Sequence, residues 1–197
     1  MATSGAAQEI IRERDKEIAK IRGFVDLTEE AKNRRIGEIR QWAQEEYEKA
    51  KSEEQRQRQL WLERTKKAVY KIPTGRGSDD AEIAQIYQAY RAAYSDVRAA
   101  TEGIKENPVL ANAPQATKRL EPLLDQAERS GDELLARAIY HRAIDLGAQE
   151  IVDRFLSTRK TDALNWQNYT EAAAEVRQAS GIEALLADGF TERALSG

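Results

Sequence analysis

His141 and Asp145 are the first pair to weigh for chemistry, because a histidine and a carboxylate four residues apart share a helix face and can hydrogen-bond. His141 is the only histidine, and the chain has no cysteine. Disulfides, thiolate catalysis and Cys-based zinc sites are thereby excluded, and no serine nucleophile or third metal ligand stands near the pair in sequence. His141 and Asp145 therefore read as a pair on a helix surface. The adjacent carboxylates Glu45-Glu46 and Glu53-Glu54 could in principle divide acid and base roles, but they lie in a stretch too polar to raise a pKa and read as solvated side chains. The run from Thr74 to Asp80 is rich in glycine, yet it lacks the lysine and spacing of a phosphate-binding loop and follows no strand, so it reads as a linker. What remains has no catalytic, cofactor-binding or metal-ligating residue. The expectation is a protein that is not an enzyme and takes no cofactor.

With no chemistry to position, the elements themselves carry the information. The 197 residues are 41% hydrophobic and 33% charged, against about 25% charged for an average soluble domain, which favours long exposed helices. Net charge is −3, and basic and acidic side chains alternate along the same segments: 17 and 14 in residues 1–72, 14 and 20 in the remainder. That alternation argues against sequence-specific nucleic-acid binding, and Arg34-Arg35 and Lys66-Lys67 read as solvated helix faces. No window approaches the roughly 18 to 20 apolar residues of a membrane span, nor does residue 1 onward carry a signal-peptide core, so no membrane partner is expected.

The first arm, 8–22, places Ile11, Ile18 and Ile21 at heptad-like spacing and ends at Gly23. Thr28, followed by Glu29 and Glu30, can cap a second arm over 28–72. At ~1.5 Å per residue that arm is a projecting rod of roughly 65 Å. Its apolar positions, including Ile36, Ile39, Trp42 and Ala43, can meet the first arm, which makes a helical hairpin with Trp42 covered. Residues 51–59 contain no hydrophobic side chain, and a helix polar all round is a solvent bridge or unstable. Leu60, Trp61 and Leu62 then resume the apolar pattern.

Pro73 and two glycines mark a linker at 73–78, and residues 79–197 read as a compact domain of several helices, the first capped by Ser78 and followed by the two acids Asp79 and Asp80. A tyrosine stripe at Tyr87, Tyr90 and Tyr94 reads as core or interface, 103–114 as a loop, and the next helix as starting near Pro122 or kinked there. Ser130-Gly131-Asp132 reads as a tight turn, Gly147 as a helix end, and Thr161 or Asp162 as a helix start, with Ile182, Leu185, Leu186, Phe190 and Leu195 in a closing tail. No segment has strand periodicity, so the fold class is all-α: an N-terminal helical hairpin with a long projecting helix, then a compact multi-helix domain. Residues 127–143 have the small-residue rhythm of a tetratricopeptide helix pair, but a single unit cannot make an array.

Four stretches point to a family. They are Arg14-Asp15-Lys16-Glu17-Ile18, Leu27 to Lys32 with Ile36 and Ile39, Ile86 to Arg91, and Ser130 to His141. In this order they resemble a group of tailed-bacteriophage proteins encoded among head genes in phages of actinobacteria. The resemblance implies a virion or assembly role, as a capsid-associated minor or decoration protein or a scaffold, with no catalytic residues to carry over. The expected partners are other phage structural subunits, the major capsid protein or portal, together with self-association; the expected location is the virion, after assembly in the bacterial host cytoplasm. The candidate partner-binding residues are Leu60, Trp61, Leu62, Ile11, Ile18, Ile21 and Trp42. An intracellular helical adaptor that docks a partner peptide against the tetratricopeptide-like hairpin is the alternative.

Overall fold

The computed structural model describes residues 3–75, 77–104 and 113–189, with side chains from residue 5 to residue 180 of these. The described residues form seven helices and no strand: α1 (Thr3–Gly23), α2 (Glu29–Val69), α3 (Asp80–Ala100), α4 (Ala113–Ser130), α5 (Glu133–Leu146), α6 (Gln149–Leu156) and α7 (Lys160–Gly189). The fold is all-α. No helix among the described residues is long and apolar enough to cross a membrane.

The helix ends follow from local chemistry. Thr28 Oγ1 accepts from the Ala31 amide at 3.3 Å and opens α2. Asp79 caps α3, its carboxylate accepting from the Glu82 amide at 2.8 Å while the Glu82 carboxylate accepts from the Asp79 amide at 3.3 Å, a reciprocal capping box. Gly131 (φ 68°) turns the chain after α4, and Asp132 then caps α5 by accepting from the Leu135 amide at 2.9 Å. Of the two alternatives at Pro122, a helix start or a kink, the start is excluded, because α4 begins at Ala113 and Pro122 lies inside it. Pro114 sits in the first turn, where a missing N–H costs nothing, and Pro122 is tolerated inside the helix because it and Lys118, whose carbonyl it leaves free, both face solvent. Most of the anticipated loop, 105–112, lies outside the described residues, as do Phe190 and Leu195. α7 runs without a break through the position where a separate tail was expected.

The chain divides into two compact units, Met1–Arg64 with Glu171–Gly197, and Thr65–Thr170. The division does not fall at the 73–78 linker, because Val69 at the end of α2 and Tyr70 just beyond it pack into the core of the second unit. That core is built on α5. Residues 136–143 are all buried, so this helix has no solvent face there; most of its polar atoms bond to other elements, while Arg137 Nε and the Tyr140 hydroxyl are buried without a hydrogen bond. Leu120, Leu124 and Ala127 of α4, Val97 of α3, and Ile151, Val152 and Phe155 of α6 surround it.

The first unit has a thinner apolar seam. Ile18 and Ile21 of α1 pack on Ile36 of α2, with Ile39 alongside. Ala43 is 4% exposed whereas Trp42 is 40% exposed, so the expectation that the first arm covers Trp42 is corrected: the neighbouring alanine takes the inward position. The polar segment 51–59 is not wet all round either. Glu54 and Arg58 form an ion pair, with side chains 16% and 30% exposed.

Candidate functional site

The densest cluster of titratable groups lies in the second unit, where α3, α5 and the end of α2 meet. His141, 1% exposed, stands on α5 between two partners. Its Nε2 lies 3.1 Å from the Val69 carbonyl, which can only accept, so Nε2 carries the proton. Its Nδ1 is then an acceptor and receives the Tyr90 hydroxyl at 2.6 Å. One turn on, Asp145 accepts two phenols: Tyr70 on Oδ1 at 2.7 Å and Tyr94 on Oδ2 at 2.6 Å. His141 and Asp145 therefore do not form the surface pair anticipated from their spacing. Each faces a tyrosine of α3, and the two tyrosines repeat the four-residue step of the histidine and the aspartate. The matched steps imply that α3 and α5 run in the same direction along this seam.

Burial sets the proton affinities. It pulls the His141 imidazole down to about 4, against the smaller opposing effect of the Val69 carbonyl. Burial pushes the Tyr90 phenol up to about 12, and it raises Tyr70 and Tyr94 further, helped by the Asp145 carboxylate they bond. The set thus holds a neutral imidazole and three protonated phenols. Every hydroxyl donates into an acceptor on another helix or helix end, so the arrangement acts as a fastener. In particular, Val69 offers one of the last α2 carbonyls, which has no partner within its own helix, and His141 supplies that partner.

A second group surrounds Phe155. Its ring stacks on Tyr140 at 4.3 Å, with the Arg159 guanidinium 4.0 Å above it. Arg137, 4% exposed, is held by Asp162 through two bonds of 3.1 and 2.9 Å, and Arg159 reaches Glu133 at 2.7 Å. The end of α3 is likewise covered by cations, as its macrodipole favours: Arg119 donates to the Glu102 carbonyl at 2.8 Å, and the buried Arg142 to Thr101 Oγ1 at 3.0 Å. Sequence reasoning missed Arg137, Tyr140 and Arg142 because it placed polar side chains of α5 outside. The recoverable signal was the repeated four-residue step of Tyr90 with Tyr94 and His141 with Asp145.

The anticipated partner-binding residues separate into three groups. Ile18 and Ile21 are buried in the seam between α1 and α2. Ile11 and Trp42 are exposed, together with Phe24, Val25 and Tyr47 of the same unit. Leu60, Trp61 and Leu62 are half-buried. The glycine-rich run is spent on a turn, with Gly77 at φ 87° and the Ser78 amide donating to the Gly75 carbonyl at 3.3 Å, before Asp79 caps α3. No group of three or more potential metal ligands occurs among the described residues. Compared with known proteins, the chain matches no family model, no curated protein and no solved structure.

Proposed function

We propose that the chain is a non-enzymatic structural protein of a bacteriophage head, a capsid-associated minor or decoration protein or a scaffold, which acts through helical contacts with other structural subunits. The observation that supports this reading is the contrast on the first unit: a seam of three buried isoleucines beside five large apolar side chains left at the surface, Ile11, Phe24, Val25, Trp42 and Tyr47. Apolar surface in excess of the core it belongs to favours association. The titratable cluster of the second unit supports the same reading from the other side, since its donors and acceptors are turned on each other. The four sequence stretches that resemble phage head proteins supply the particular assembly.

Mass spectrometry of purified virions and of precursor shells tests the proposal. The protein should be present in many copies in one or both, and an Ile11→Asp, Trp42→Asp double variant should fold yet fail to be incorporated. Absence from both particles would overturn the head assignment. The adaptor reading is favoured by Leu164 of α7, a large apolar side chain left 58% exposed on the second unit. It requires a single partner bound one to one, so the measured stoichiometry separates the two.

A further inference from the structure

One face of the α1–α2 hairpin carries a shallow depression whose lining is cationic. Two rows of α2 side chains form it, Glu29 with Asn33 and Gly37, and Lys32 with Ile36 and Arg40, and Arg22 from the last turn of α1 completes it. Each row steps by four residues and so runs along the helix surface. Three cations face one carboxylate. The Lys32 side chain is 16% exposed and meets Glu29 at 2.9 Å, but Glu29 is itself 81% exposed, and so open a pair is readily exchanged. Among the described residues, Arg22 has no ion-pair partner.

Gly37 is the second observation. Glycine inside a helix is less favourable than alanine, and the protein's own packing gives no reason for it, since a Cβ built at Gly37 meets nothing within 4 Å. The missing side chain instead leaves the α2 backbone bare on the floor of the cationic depression. Space kept free at a cost to the helix, where cations outnumber the single carboxylate, suits the close approach of something from outside.

We propose that this depression is a docking site for an acidic segment of a protein partner, with carboxylate side chains received by Arg22 and Lys32 over the bare backbone of Gly37. A carboxylate is favoured over a nucleic-acid backbone because Glu29 and Glu30, 81% and 90% exposed, stand in the first turn of α2 at one end of the site. A strand of phosphates, with a charge every ~3.4 Å, would run onto them, whereas one or two carboxylates fit between. The site stands whatever assembly the chain serves.

The test uses the full chain at low salt and three probes: a fluorescein-labelled alanine-rich peptide that carries two glutamates, a labelled oligothymidylate of equal charge, and inorganic phosphate as competitor. The peptide should bind, and anisotropy should show roughly tenfold weaker binding for Arg22→Gln, the loss expected for one charge-assisted contact. Gly37→Leu should weaken it by a similar factor while leaving the melting temperature at or above that of the parent chain, which separates a filled site from a misfolded one. Arg22→Lys should retain most of the binding. No peptide binding, or binding that neither variant changes, would overturn the site. Tighter binding of oligothymidylate with the same sensitivity to both variants would overturn the protein partner, and phosphate that competes at equal charge concentration would reduce the site to a simple anion pocket and overturn it as well.

Discussion

The unit of residues 65–170 and the unit that holds α1 and most of α2 use polar side chains in opposite ways. In the first of these, polar groups are buried and connect elements far apart in sequence: Tyr90 to His141, Tyr94 and Tyr70 to Asp145, Arg137 to Asp162. In the second they are local and exposed, as in Lys20 with Glu17, Lys49 with Glu46 and Arg56 with Glu53. Local pairs of this kind contribute ~0.2 to 0.5 kcal/mol each and support a helix without specifying what it packs on. Buried donors and acceptors specify their partners, because each one left unmatched costs about 1 to 3 kcal/mol. One unit therefore defines its own structure, and the other leaves large apolar side chains at its surface.

The contrast is sharpest in the cores. Phe155→Ala removes a fully buried ring together with the surface on which Tyr140 and Arg159 stack, and should cost about 3 to 5 kcal/mol in chemical denaturation. Ile21→Ala, in the thin seam of the hairpin, should fall near the bottom of the range for such truncations, about 2 kcal/mol. Equal costs would mean that the hairpin is as self-sufficient as the compact unit.

Acid should act on the compact unit through His141. Its folded pKa lies below the unfolded value of 6.5, near 4, so the neutral form is what the fold favours. The stability this supplies is complete above pH 6.5 and is lost as the pH falls towards 4, a change of about 3 kcal/mol. Unfolding measured across that window should show the loss. His141→Asn, whose amide can donate to the Val69 carbonyl and accept from Tyr90, should show much less of it.

The smallest effect belongs to Trp42→Ala, which should change stability by less than about 1 kcal/mol because the indole is 40% exposed and Ala43 holds the inward position. A larger loss in the isolated protein would place Trp42 in the seam and remove it from the association surface.

Sequence reading succeeded where one residue type has one physical use. Asp132 as a cap, Gly131 and Gly147 as helix ends, and Pro73 as a stop are of this kind, whereas the cap expected at Ser78 falls one residue later, on Asp79. It failed where a position depends on what lies opposite. Trp42 and Ala43 are separated by a turn of about 100° on the helix, too fine a distinction for a short apolar pattern, and the larger side chain was the wrong one to place inside. The polar face of α5 read as solvent-facing because its partners come from other helices. Pro122 misled for a related reason: whether an interior proline breaks a helix depends on whether its face is wet.

The bond between His141 and the Val69 carbonyl also bears on the order of events in folding. It joins residues 72 apart in sequence, and the Tyr90 to His141 bond joins residues 51 apart. Loops of this size are closed at a cost that grows only with the logarithm of their length, so neither is forbidden, but they are not independent. Once α3 lies along α5, the route from Val69 to His141 shortens to the roughly twenty residues that separate Val69 from Tyr90, and its closure becomes a local event. The end of the long helix is then the last piece fastened, after the slow search that pairs α3 with α5. Refolding followed at Tyr70 should accordingly lag refolding followed at Tyr90, with the hairpin of α1 and α2, whose contacts are close in sequence, ahead of both.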